Sequence, residues 1–224
     1  MSGALSDTEL LELYTEGRNL TQQSRMLLTL QIILGSPPER DLNALSLGDR
    51  DRCFWTAREK LSGTAFDAKI ECQSCQEWME ISCGPDFAIP EKVQDSAVVP
   101  FQGEDYELRL PNISDLQAAK AGFPYERLNP SAPWQEPLFR KNASQALEKA
   151  DPGMDVLFLA NCENCESSIE ASLDVFRFLW TDLQARAQSL LGEIITLARA
   201  FGWSETQCLS LPPARRRLYL EHLA

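Results

Sequence analysis

The chain has 224 residues, a formal net charge of −12 and a sequence pI near 4.6, and hydrophobic residues make up 44% of it. It can bury a real core, and its sign of charge argues against phosphate backbones and anionic membrane surfaces as general partners. A single histidine, His222, two positions from the last residue, leaves no Ser-His-Asp triad and no second histidine for an H-E-x-x-H site. No phosphate-cradling G-x-x-x-x-G-K-[ST] loop occurs, and the composition predicts a non-enzymatic protein.

The first residues carry neither a basic segment nor a long apolar run, so no signal peptide is expected. The apolar stretch Met26 to Leu34 is too short to span a bilayer. The long C-terminal apolar region is interrupted by Asp174, Arg177, Asp182, Arg186 and Glu193, so no membrane insertion is expected. The expected site of synthesis and first residence is the cytoplasm. Seven cysteines in that setting point to reduced thiols, metal ligands or core residues before disulfides.

Residues 1–64 read as a helical N-terminal segment. Ser6 and Glu9 form an S-x-x-E capping box, with Leu5 and Leu10 placed as a hydrophobic staple, and Gly17 is a stop. A second helix covers Gln22 to Leu34, closed by Gly35 and Pro37-Pro38. A third starts at Ser46 and runs to about Leu61, before Gly63. It carries Cys53 beside Phe54 and Trp55, a core position.

At residue 65 the hydrophobic period changes. Phe66 to Glu71, a Cys72-x-x-Cys75 turn and Trp78 to Ser82 read as strand, knuckle, strand. Val98 to Phe101 and Tyr106 to Leu110 read as a hairpin joined by Gln102 to Asp105. Ser114 and Asp115 open a short helix ending before Gly122. Four prolines from Pro124 to Pro137 predict an irregular loop, followed by a helix through Ala143 to Lys149. Asp151-Pro152-Gly153 breaks the chain. From Asp155 the earlier unit recurs: Val156 to Ala160, a Cys162-x-x-Cys165 knuckle, and Ser168 to Ala171.

Ser172 is the expected cap of a long helix. Phe176, Trp180, Leu183, Ala187, Leu190, Ile194, Leu197 and Phe201 repeat in steps of four and three, a heptad seam. The seam serves either a partner strand or packing against the N-terminal helices, and the need of those helices for an apolar partner favours the second. Gly202 ends the helix; a short helix from Ser204 to Leu209, Pro212-Pro213 and a last helix through Leu223 follow.

The fold class read from this order is α+β. A split zinc ribbon occupies 65–171 and encloses an inserted hairpin-and-helix subdomain at 84–154. A C-terminal helical segment covers 172–224. Four thiolates make the common closed structural zinc site, and two residues between cysteines let both sulfurs face one concavity. Cys72, Cys75, Cys162 and Cys165 are therefore the expected ligands of one structural Zn²⁺ per chain. The usual separation of the halves is about fifteen to twenty residues; here residues 76 to 161 intervene, which requires the insert. Other readings of the same cysteines are redox pairs, disulfides, and knuckles that no longer hold metal. Cys83 is a possible substitute ligand or a strand-end core residue, and Cys208 is a core residue. Arg215-Arg216-Arg217 is either a solvated helix face balancing acids such as Glu205 and Glu221, or a docking spot.

The layout as a whole resembles the small baseplate-associated proteins of contractile phage tails and phage-tail-like extracellular contractile injection systems, loosely grouped with T-even phage baseplate proteins. The residues that carry the resemblance are Ser46-Leu47-Gly48-Asp49-Arg50-Asp51, Tyr106-Glu107-Leu108-Arg109-Leu110-Pro111 with Asp115-Leu116, the two knuckles, and Phe201-Gly202-Trp203-Ser204-Glu205 with Leu211-Pro212-Pro213-Ala214-Arg215-Arg216-Arg217-Leu218-Tyr219-Leu220. Family members often carry Cys-Pro-x-Cys-Gly knuckles; Gln73, Glu163, Gln76 and Glu166 stand at the proline and glycine positions here. The missing glycines leave the knuckle backbone less free to adopt positive φ. The resemblance implies a structural or assembly role in the baseplate or hub, with baseplate, hub and spike proteins of the same particle as partners. Trp203, Arg215, Arg216, Arg217 and Tyr219 are then candidate partner-binding residues, and a released or envelope-docked particle is a possible final location. The alternative is a zinc-ribbon adaptor in transcription or RNA metabolism, which the acidic charge disfavours. Under the first reading no nucleic acid and no small-molecule substrate are expected.

Overall fold

A computed structural model describes residues 5–35, 41–119 and 122–223. Pro37-Pro38, expected to close the second helix, lie outside the described residues. The class is α+β: among the described residues, eight α-helices and three two-stranded antiparallel hairpins follow one another along the chain.

Three N-terminal helices begin on side-chain caps that satisfy otherwise orphaned amides. Ser6 and Glu9 make the reciprocal capping box of α1 (Asp7–Gly17). Thr21 caps α2 (Gln22–Leu34), which ends on Gly35 in the left-handed region, and Ser46 caps α3 (Leu47–Ser62). They pack around the long helix α6 (Val175–Phe201), whose buried side chains include Phe176, Trp180, Leu183, Ala187, Leu190, Ile194 and Leu197. The seam thus faces inward, against Leu10, Leu13, Leu30 and Phe54. Its last member does not: Phe201 is 41% exposed, because Gly202 ends the helix there and Phe201 stacks on Trp203 instead.

Strands β1 (Phe66–Glu71) and β2 (Trp78–Cys83) form the first hairpin, and β5 (Leu157–Asn161) and β6 (Ser168–Ser172) form the last. Between them lies a unit with its own core. Hairpin β3 (Ser96–Phe101) and β4 (Glu104–Arg109) packs on α5 (Pro137–Ala150), burying Val99, Leu108, Trp134, Phe139 and Leu147 together. The hairpin turn is tighter than the sequence suggests. Phe101 pairs directly with Glu104, and Gln102 and Gly103 both take positive φ, as a two-residue turn matched to the strand twist requires. Helix α5 also starts earlier than expected, at Pro137. A first-turn proline loses no hydrogen bond, so the last of the four prolines opens the helix instead of closing the loop.

Two buried acids tie this unit down. Asp115, in α4 (Ile113–Ala118), is fully buried and accepts both guanidinium nitrogens of Arg109 at 2.7 Å, Arg127 at 2.8 Å and the Asn112 amide at 3.0 Å. Burial alone would raise its pKa, but these donors outweigh it and hold the carboxyl below its usual value. Asp151, just past α5, accepts Arg52 of α3 at 2.8 and 3.1 Å. Gly48 lies under that carboxylate: a Cβ there would sit 2.1 Å from an Asp151 oxygen, so only glycine permits the approach. Two of the resemblance segments, around Gly48 and Asp115, are therefore occupied in joining parts of the chain.

Asp174, not Ser172, caps α6, accepting the Arg177 amide at 3.0 Å. Ser172 is still in β6 and donates to Asp155. Past α6, the capping box of Ser204 and Gln207 starts α7 (Glu205–Ser210), and Pro213 opens α8 (Pro213–Glu221). Arg216 of α8 is fully buried. Its guanidinium donates to Asp7 of α1, to Glu193 of α6 at 3.1 Å and to the Leu211 carbonyl at 2.9 Å. Burial opposes the charge, but Asp7 and Glu193 keep the group protonated. The arginine run is thus split: Arg215 and Arg217 are exposed, while Arg216 latches the two ends of the chain. Substituting Arg216 by alanine strips two acids of their buried cation. Arg186 still reaches both of them, so the expected loss is on the order of 2–3 kcal/mol in urea unfolding, against under about 0.5 kcal/mol for Arg215→Ala. Equal midpoints for the two variants would remove the latch.

Candidate metal centre

Each knuckle is a tight turn between two strands, and both use the same backbone bonds. The Cys72 amide donates to Glu77 O at 2.9 Å and the Gln76 amide to Cys72 O at 2.8 Å. The Cys162 amide donates to Ser167 O at 2.9 Å and the Glu166 amide to Cys162 O at 2.9 Å. To close this turn, the residue after the second cysteine must enter the left-handed region. Gln76 has φ 63° and Glu166 has φ 58°. The absence of glycine therefore does not prevent the knuckle conformation; it leaves two non-glycine residues in a costly region.

The two tips face one another, and the sulfurs interlock. Cys72 Sγ lies 3.7 Å from Cys165 Sγ, and Cys75 Sγ lies 3.6 Å from Cys162 Sγ. All four sulfurs fall within 4.8 Å of one another. Neither contact is a disulfide, for which about 2.05 Å is required. Four sulfurs held tetrahedrally about 2.3 Å from a zinc ion would be about 3.8 Å apart, so the cage fits that coordination. Cys72 and Cys162 are buried, Cys75 is half-buried and Cys165 is exposed. Ile169 is buried against the cage, with Ile70 and Met79 packed beside it.

Ser167 adds a donor that the spacing did not single out. Its hydroxyl lies 3.2 Å from Cys72 Sγ and 3.0 Å from Cys165 Sγ, while Glu77 stands at the same place in the first knuckle. The hydroxyl of Ser167, with the Cys75 and Ser74 amides, lowers the Cys72 pKa to about 6. The Cys165 and Asn164 amides favour ionisation of Cys162 too. Burial and hydrogen bonds with Cys75 and Cys72 overcome them, pushing Cys162 up to about 11. Clustered thiols share protons unequally in this way, since adjacent negative charges oppose further ionisation.

The remaining cysteines lie apart. Cys83 pairs with Phe66 at the far end of the first hairpin, five register steps from Glu71 and Trp78 beside the knuckle, about 17 Å along the strand. It packs against the main core and its thiol pKa is raised by burial. Cys208 is fully buried in the same core, with Cys53 packed against it. The bases of the two hairpins meet there. Phe66 of β1 lies 6.2 Å from Phe158 of β5 and 4.8 Å from Phe178, and Phe87 stands 5.5 Å from Phe66 and 6.0 Å from Phe158. The hairpins are joined by aromatic rings at one end and by sulfurs at the other.

The candidate partner-binding residues gather at the C-terminal end, except Arg216, whose burial takes it out of any docking surface. Trp203 stacks on Phe201 with centroids 4.7 Å apart, and Tyr219 meets both edge-on at 5.6 and 5.2 Å. Arg215 and Arg217 stand exposed on the same short helix as Tyr219, beside Leu218 at 56% exposure.

No family model matches the chain, and no curated protein or solved structure matches it. Among the described residues, no helix is long and apolar enough to cross a membrane.

The left-handed residues give a test of the knuckle geometry. Gln76→Gly and Glu166→Gly relieve about 1 kcal/mol of steric cost each, partly offset by the greater freedom of glycine in the unfolded chain. The expected net gain is roughly 0.5 kcal/mol per site in denaturant unfolding. Losses of that size or more would contradict the positive-φ turn.

Proposed function

We propose that the protein is a non-catalytic structural or assembly component of the baseplate or hub of a phage-tail-like contractile injection system, with one structural Zn²⁺ closing its two knuckles. The metal reading rests on four free sulfurs gathered within 4.8 Å from hairpins at opposite ends of the insert. Cysteine sulfur suits zinc, and four such ligands complete its shell. A shell of that kind leaves no position for water or substrate, as a catalytic site would need. What the metal supplies is mechanical: it fixes the hairpin tips against one another. Apparent binding energies of about 10–16 kcal/mol for structural zinc in small peptides are ample for this.

The baseplate role is supported by the sequence resemblance and by the surface at its most distinctive segment. Phe201 and Tyr219 are exposed and, with the half-buried Trp203, form an aromatic cluster beside two exposed arginines without ion-pair partners among the described residues. Aromatic residues and arginine are the types enriched at binding hot spots. Under this reading the partners are baseplate, hub or spike proteins of the same particle, encountered in the cytoplasm during assembly.

Two measurements test the proposal. Protein purified under reducing conditions should contain about one zinc per chain, absent from Cys72→Ser and Cys162→Ser; wild-type protein with intact thiols and no metal would end the zinc reading. Because the helical core lies away from the cage, metal loss should raise hydrogen exchange chiefly in 66–83 and 157–172 and preserve most helical signal. For the role, Arg215→Glu with Arg217→Glu should keep fold and zinc yet lose co-purification with the baseplate proteins and stop particle assembly. Normal assembly by that variant would remove the C-terminal face from the interface.

A further inference from the structure

A groove separates the inserted unit from the helical core on a different part of the surface, and it is not used by the metal cage. Its volume is about 940 Å³. The insert contributes α4, α5 and Phe123 to Tyr125; the other wall is the start of α2, the start of α3 and the approach to α6. The groove contains large apolar side chains with unburied surface: Leu116 and Leu157 are each 43% exposed, and Met26, Phe123, Tyr125 and Met154 are half-buried.

Its charges are one-sided. Among the described residues, Arg50 is the only cation on the lining, and it is consumed by Asp51, to which it donates at 2.7 and 2.8 Å. Asp151 is likewise consumed by Arg52. Glu148, Asp155 and Asp174 remain exposed on the walls. Among the described residues none of the three has an ion-pair partner. Asp155 and Asp174 accept only from Ser172 and from the Arg177 amide. A folded protein that leaves large leucines and three unpaired carboxylates around one concavity presents an apolar floor with an anionic rim.

We propose that this groove docks a basic amphipathic segment of a partner protein. Its apolar side chains would enter between Leu116 and Leu157, and its lysines or arginines would meet Glu148, Asp155 and Asp174. Apolar anchors supply affinity, and the rim charges supply orientation and on-rate. An acidic segment would bring like charges together, so the sign of the partner is fixed by the rim. The proposal is independent of the baseplate reading, and the C-terminal face, being cationic, calls for a partner of the opposite sign.

The probe is an 18-residue synthetic peptide of leucine and lysine with leucines at helical three- and four-residue spacing; a leucine and glutamate version is its counterpart. Fluorescence anisotropy with the full chain should show micromolar binding of the lysine peptide that weakens with salt, and at least tenfold weaker binding of the glutamate peptide. Glu148→Lys with Asp155→Lys should weaken the lysine peptide at least tenfold. Glu12→Lys with Glu16→Lys on α1, the same change in net charge away from the groove, should leave it within twofold. Should the first variant fail to fold by circular dichroism, Leu116→Ser with Leu157→Ser takes its place with the same expected loss. Equal effects of groove and control variants, or comparable binding of the two peptides, would overturn the proposal. So would a wild-type dimer split by the groove variant, since the occupant would then be a second copy.

Discussion

The split site depends on bringing together two turns that lie 87 positions apart, the separation of Cys75 from Cys162. For a flexible loop of that length, closure costs roughly 4 kcal/mol by the logarithmic scaling of chain entropy. The intervening chain is not flexible. It folds around its own apolar core, and its two ends touch: the amides of Val93 and Gln94 both donate to the Ala150 carbonyl, at 2.9 and 3.0 Å. The effective loop is thereby reduced to the short stretches on either side of the insert. Arg52 then fixes the base, bonding Asp151 on one side and the Pro90 carbonyl on the other. The insert acts as a buckle that sets the hairpins side by side.

The two ends of the paired hairpins divide the work by chemistry. Phe66, Phe87, Phe158 and Phe178 join the bases, in continuity with Trp55 and the helical core. At the tips only Ile169, Ile70 and Met79 pack on the cage among the described residues, while Trp78 and Leu159 stand exposed. Two-stranded hairpins standing alone are marginal in water, and each of these sheets has only two strands. A cross-link at the tips is what such a structure lacks, and four converging sulfurs provide the means for one. Ser167 makes the pair of knuckles unequal, since its hydroxyl serves thiols from both.

Much of this was legible because it is local. The Ser6–Glu9 capping box, the four-three apolar spacing of α6 and the repeated Cys-x-x-Cys unit each arise from a few consecutive residues, and each appears where the residues place it, Phe201 excepted; the short helix expected to open at Ser114 and Asp115 starts at Ile113 on an Asn112 cap. The failures are where a distant partner decides. Nothing near Arg216 in the sequence foretells Asp7 or Glu193, and three adjacent arginines look equivalent until tertiary packing buries one. Ser172 resembles a cap by type, but the strand extends through it and Asp174 takes the role. Ser167 carries no spacing signal, because its position matters only once Cys72 lies opposite. Pro137 could end a loop or open a helix, and the helix beginning at that residue settles which.

The knuckle turns show how a motif can be met at a cost. Glycine would enter the left-handed region freely; Gln76 and Glu166 enter it against a penalty of about 1 kcal/mol each. Strain of that kind persists only where surrounding contacts over-determine the backbone. Here the strand pairs on both sides of each turn and the amide-to-carbonyl bonds across it fix the path of the chain. The sulfurs are then aimed by the fold and not by local preference. Two strained turns, each stabilised by the hairpin it closes and facing the other across a few ångströms, are most secure when joined. Binding at the cage would therefore stabilise the turns as well as the pairing of the hairpins.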